Sequence, residues 1–150
     1  MVHKDTILNQ HGECVQMGTI SNDVAKLLLR LTVGGLMIFH GISKIAHGIS
    51  WLGPAVTGAG FPEFIQYGVY LGEIVGPVLL ILGYHTRVGA LLVIADMVFA
   101  VFIAHRHQIF SLNAGGGWAI ELPAFFLLAG VVVLLLGGGR FSVGGSAEKF

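Results

Sequence analysis

The stretch VGALLVIADMVFAVFIAH, residues 88–105, is apolar from end to end apart from Asp96 near its middle and His105 at its close. A run of about 18 or more apolar residues reads as a membrane-spanning helix. Three more stretches resemble it: residues 24–44, 63–83 and 118–137. Each also carries ionisable side chains. A charge at the centre of a membrane helix costs about 2.5–3.5 kcal/mol on insertion scales. Such residues therefore turn inward and meet one another.

Composition agrees with this reading. Of the 150 residues, 55% are hydrophobic and 11% charged, and the mean hydropathy is +0.83. Soluble domains carry about 25% charged residues. Net charge is +0 at pH 7, so there is no basic footprint for nucleic acid. Cys14 is the single cysteine. An internal disulfide and a Cys-x-x-Cys thiol relay are both excluded.

The expected fold is all-α: an antiparallel four-helix bundle in the membrane, with a short interfacial or re-entrant segment after helix 1. Residues 1–23 read as a polar cytoplasmic lead, 24–141 as the membrane domain and 142–150 as a short tail. Ser21-Asn22-Asp23 offers N-cap side chains to helix 1. The segment HGISWLGPAVTGAGFP (47–62) is too broken to span, and Trp51 suits headgroup depth. In helix 2, Gly68, Gly72 and Gly76 recur every fourth residue, so a neighbouring helix can pack closely. Pro77 predicts a kink. Lys4, Lys26, Arg30, Arg87, Arg140 and Lys149 fall on one side, against Lys44 and Arg106 on the other. That bias places both termini in the cytoplasm of an inner-membrane protein.

The candidate polar site follows from depth at 1.5 Å per residue. Glu73 and Asp96 fall near the midplane, and Tyr70 shares the Glu73 face. His40 and Glu121 lie roughly 10 Å toward the outer face, with Lys44 and His105 at the boundary. Arg30 lies about 6 Å to the cytoplasmic side. Arg30, Met37, His40 and Lys44 form one stripe on helix 1. Arg30, Lys44 and the histidines can balance Glu73, Asp96 and Glu121. A purely structural role in fixing helix register competes with a functional one. No metal site is expected.

In order along the chain come Leu29-Arg30-Leu31 with Gly34, then Phe39-His40-Gly41 and Lys44. Glu73-x-x-Gly76, Leu80-x-x-Gly83-x-x-Thr86-Arg87 and Asp96-Met97 follow. His105, Glu121 and Gly137-Gly138-Gly139-Arg140-Phe141-Ser142 close the series. This ordered set resembles the DoxX family of small membrane proteins. The resemblance implies a four-helix inner-membrane protein. It also implies a link to terminal-oxidase complexes and to thiosulfate oxidation with quinone as acceptor. The expected function is a membrane subunit of a quinone-linked oxidoreductase system. The alternatives are a non-catalytic anchor or assembly module for a soluble redox partner, or a small solute or proton pathway. The expected partners are the lipid bilayer, a redox protein and a second copy of the chain, and quinone is the one cofactor implied.

Overall fold

The computed structural model describes residues 20–144 in full and, before them, the backbone of 7–8, 14–15 and 17–19. The thiol of Cys14, most of the lead and the end of the tail lie outside the described residues. Within the lead, β1 (Ile7–Leu8) pairs antiparallel with β2 (Cys14–Val15). Among the described residues after it, the chain is helix and loop apart from one isolated bridge, Leu112 to Trp118.

Helix α1 runs Met17–His47. It begins before Ser21-Asn22-Asp23, so these residues do not cap it. The Asp23 carboxylate instead accepts the Arg140 N–H at 3.3 Å, which ties the start of the chain to its end. A 3₁₀ turn (Ser50–Leu52) and the short α2 (Gly53–Gly58) follow, with Pro54 in its first turn. Leu52 and Val56 bury against Ile103.

The second apolar span, Glu63–Leu82, is not one regular helix. It opens as 3₁₀ (Glu63–Gly68), widens into a π turn (Leu71–Val75) and ends as α3 (Gly76–Leu82). Pro77 explains the change. It has no N–H to give the Glu73 carbonyl, and its ring crowds that oxygen, so the backbone opens one residue wider. The expected kink is therefore a π turn centred on Glu73. Gly83, left-handed at φ 66°, closes α3. Helix α4 (Thr86–Ala104) and α5 (Glu121–Leu136) complete the chain.

Among the described residues, three helical spans are long and apolar enough to cross a membrane: Ile20–His47, Glu63–Leu82 and Thr86–Ala104. The fourth, α5, has 16 residues, about 24 Å against a hydrocarbon core of about 30 Å. It starts later than its apolar run suggested because Trp118 belongs to the preceding loop. The Trp118 indole N–H donates to the Ile109 carbonyl at 2.6 Å, and Leu112 bridges to Trp118.

The helices close a ring: α1 packs on α3 and α5, and α4 on α3 and α5. Glycines set the spacing. A Cβ on Gly34 would lie 2.9 Å from the Pro77 carbonyl oxygen, and one on Gly89 would lie 2.9 Å from that of Gly76. Val33, Met37, Leu80, Val93, Phe126 and Val133 fill the centre. Large apolar side chains also point outward, among them Phe39 (67% exposed) and Leu135 (74%). So broad an apolar exterior suits lipid rather than water.

Arg30 is 1% exposed and donates from Nη2 to the Phe141 carbonyl at 2.6 Å. Beside it, the Val143 and Gly144 N–H groups donate to the carbonyls of Leu82 and Gly83. The guanidinium thus pins the segment after α5 beneath the α3–α4 turn. Bonds to a charged group contribute about 1.5–3 kcal/mol. Arg30→Leu should lower stability by about that amount, and unfolding by denaturing detergent should show it. Unchanged stability would mean that the clamp holds nothing.

Candidate functional site

Met37, His40 and Lys44 follow at third and fourth positions, so α1 presents all three on one face. They face Glu73 in the π turn and Asp96 on α4. The Lys44 ammonium forms an ion pair with the Glu73 carboxylate. Its side chain is 18% exposed, and that of Glu73 is 6% exposed. The Tyr70 hydroxyl donates to the Lys44 carbonyl at 3.4 Å.

Two glycines bring these groups together. A Cβ on Gly41 would lie 2.5 Å from the Glu73 carbonyl oxygen, and one on Gly72 would overlap the Asp96 Cβ. Gly72 therefore lets α4 carry Asp96 up against the Glu73 turn. Glu73 Oε2 and Asp96 Oδ2 are buried with no hydrogen-bond partner among the described residues. A buried oxygen left so costs about 1–3 kcal/mol. Both are thus ready acceptors for a ligand or a proton.

These side chains border a cavity of about 170 Å³. Met37, His40, Lys44, Glu73, Asp96 and His105 lie on its wall, with Trp51, Leu52, Val69, Met97, Phe99 and Phe126 between them. The His40 ring meets the Phe126 edge at 5.9 Å and 86°. An apolar cavity of about 150 Å³ holds benzene. This one has room for a single substituted ring, with polar groups at its rim.

The remaining expected site residues lie elsewhere. Arg30 is 14 residues from Lys44 on the same helix, about 21 Å away along it, and belongs to the clamp. Of the pairings left open by the sequence, the structure forms Lys44 with Glu73. Glu121 is exposed in the first turn of α5, beside Gly117, while its neighbours Leu122 and Pro123 reach the cavity. His105 borders the cavity, and its Nδ1 is 3.0 Å from Gln108 Oε1. Gly76 packs on Gly89, but nothing lies within 4 Å of a Cβ on Gly68. Among the described residues no three His, Cys, Asp or Glu side chains gather as metal ligands do.

Sequence reasoning did not place Phe99, Met97 or Phe126 in the wall. Phe99 and Phe126 carry no signal beyond apolarity, and Met97 entered only beside Asp96 in the ordered motif set. Trp51 was read as a headgroup anchor, and its second role as a cavity wall depends on how the 47–62 segment folds back.

Residues 25–106 match the family model described as DoxX. A protein of Haemophilus influenzae named "Uncharacterized protein" is 36% identical over 105 residues, 66% of this chain and 75% of that one. A Bacillus subtilis protein named "Putative oxidoreductase CatD" is 28% identical over 107 residues, 71% of this chain and 79% of its own. No solved structure matches.

Proposed function

The chain belongs to the DoxX family, and from that premise we propose that it is the membrane subunit of a quinone-linked oxidoreductase system. In this reading all four apolar helices cross the inner membrane as an antiparallel bundle, with both termini in the cytoplasm. The excess of lysine and arginine on the terminal side supports that orientation. A relative named as an oxidoreductase supports the reaction class.

The observation that carries the reading is the ring-sized cavity where Lys44, Glu73 and Asp96 converge between aromatic walls. A quinone needs an apolar slot, donors for its carbonyl oxygens and a source of protons. The Lys44 ammonium and a His40 ring N–H are the donors. Glu73 and Asp96 are within the same wall and relay protons. Reduction to the quinol consumes two electrons and two protons. The protons pass through the carboxyl groups, and a redox partner protein supplies the electrons and is itself oxidised. Fixed charges in a water-poor site act strongly on the charge that develops on the quinone oxygens.

Trp51 borders the cavity, which gives a direct test. Quinone added to the protein in lipid nanodiscs should quench Trp51 fluorescence along a saturable curve. The saturable part should vanish in Trp51→Phe, which retains Trp118 as a control. Quenching that rises linearly with quinone in both proteins would reduce the effect to collisions in the lipid and sink the reading.

A further inference from the structure

Two further openings flank the central cavity, and their linings differ in kind. One is bordered by His40, Ser43, Lys44, His47 and Trp51 and has a volume of about 190 Å³. The other measures about 220 Å³ and is bordered by Ile65, Gly68, Leu71, Leu92 and Ala95. It lies between the second span and α4. Leu71 at its lip is 53% exposed on the apolar exterior. Val69, Asp96 and Phe99 border both this groove and the central cavity. The wall between them is thus two apolar side chains and one carboxylate.

We propose that this groove is the passage for the polyprenyl tail of a ring compound whose head occupies the central cavity. The inference rests on the quinone reading and adds the part of the substrate that reading leaves open. Three features support it. The groove is mostly apolar and opens at Leu71 on the apolar exterior, so a tail there can stay in hydrocarbon while its ring is bound. The opposite mouth is lined by two histidines, a serine and a lysine, which suits water and protons and excludes a tail. Asp96, at the shared wall, has an oxygen without a partner. An acyl chain in the groove would leave that oxygen unsatisfied, whereas the hydroxyl group of a reduced (quinol) ring at the wall would donate to it. Phe99 is half-buried and packs edge-on to Phe61 at 6.0 Å. It is the side chain that turns aside for the tail.

Lipid solvates a tail as well as the groove does. The groove therefore adds little affinity, and its role is to let the ring dock without bending the tail. Blocking it should harm tailed ligands alone. Gly68 is the position for a block, because a Cβ there meets nothing within 4 Å. In nanodiscs, Gly68→Phe should bind ubiquinone, a single-ring benzoquinone with a polyprenyl tail, at least about tenfold more weakly (tenfold is 1.4 kcal/mol) and its tail-less dimethoxy-methyl-benzoquinone head as tightly as the parent protein. Unchanged ubiquinone binding in Gly68→Phe would overturn the tail passage and leave the quinone site standing. Equal loss of both ligands would also overturn it, since the groove would then be part of the ring site. Failure of the parent protein to bind either ligand would instead bring down the quinone reading itself. A photoreactive group at the tail end gives a check independent of any substitution. Labelling of the peptide around Leu71 or Leu92 supports the passage. Labelling of residues 43–51, or labelling abolished by phospholipid alone, refutes it.

Discussion

Lys44→Met alone should destabilise the protein by about 3–5 kcal/mol, the typical loss when a buried ion pair keeps only one charge. Glu73→Leu alone should lose a similar amount. The double variant Lys44→Met/Glu73→Leu should recover most of it, because a buried pair can be replaced by apolar side chains of similar volume at little cost. The structural basis is the depth of the pair. Glu73 sits in the π turn with a 6% exposed side chain, and its second oxygen has no partner among the described residues. Without the Lys44 ammonium it would be an isolated anion beside the Asp96 carboxyl group. Unfolding in mixed detergent measures all three variants as a double-mutant cycle. Losses that simply add would show that the two residues do not act as a pair. The same cycle separates two roles that the sequence could not distinguish. If the pair only fixes helix register, the double variant should be stable and still bind quinone. If it forms the site, the double variant should be stable and show no saturable quenching of Trp51. We expect the second outcome.

The sequence made the helices legible because their signal is long and redundant. In residues 88–105 any few substitutions would leave the same reading, and the structure places α4 at Thr86–Ala104. Interruptions were less legible. Pro77 announced a disturbance, but only the backbone shows that it takes the form of a π turn around Glu73. Trp118 looked like the start of a helix and instead closes a loop through the Ile109 carbonyl. Such a bond depends on a fold that local sequence does not encode. At the site, depth arithmetic put Glu73 and Asp96 at the midplane and Lys44 at the outer boundary, so it did not foresee the ion pair of Lys44 with Glu73. Arg30 shares a helical stripe with Lys44, yet spacing alone cannot show that its guanidinium bonds to a carbonyl 111 residues later in the chain. The glycine ladder was legible as close packing, and its members then diverge. Gly72 and Gly76 face α4, while Gly68 borders an open groove. A repeat of four residues keeps one face only in a regular helix. The 3₁₀ turn at Glu63–Gly68 and the π turn that follows rotate Gly68 out of register.

That divergence makes Gly72 the position where the smallest change should have the largest effect on function. A single methyl group at Gly72 would occupy the place of the Asp96 Cβ. The obstacle lies next to the backbone of α4, so a rotamer change cannot relieve it. The helix must move away. Overpacking of this kind costs about 1–3 kcal/mol, which a folded bundle survives. The site is less tolerant, since a misplacement of about 1 Å can cost about 10²-fold in rate. Gly72→Ala should therefore remain folded and lose about 10²-fold in quinone reduction with its electron-donating partner present. Gly68→Ala, the same substitution one turn away in open space, should stay within about 0.5 kcal/mol of the parent and keep its activity. The comparison keeps the chemical change the same and varies its surroundings: the methyl group meets Asp96 of α4 at buried Gly72 and nothing within 4 Å at exposed Gly68. The complementary variant Gly72→Ala/Asp96→Gly restores the space but removes the carboxyl group. It should regain stability without regaining activity. If that double variant is as active as the parent, Asp96 has no part in the reaction, and Gly72 serves the packing of the helices alone.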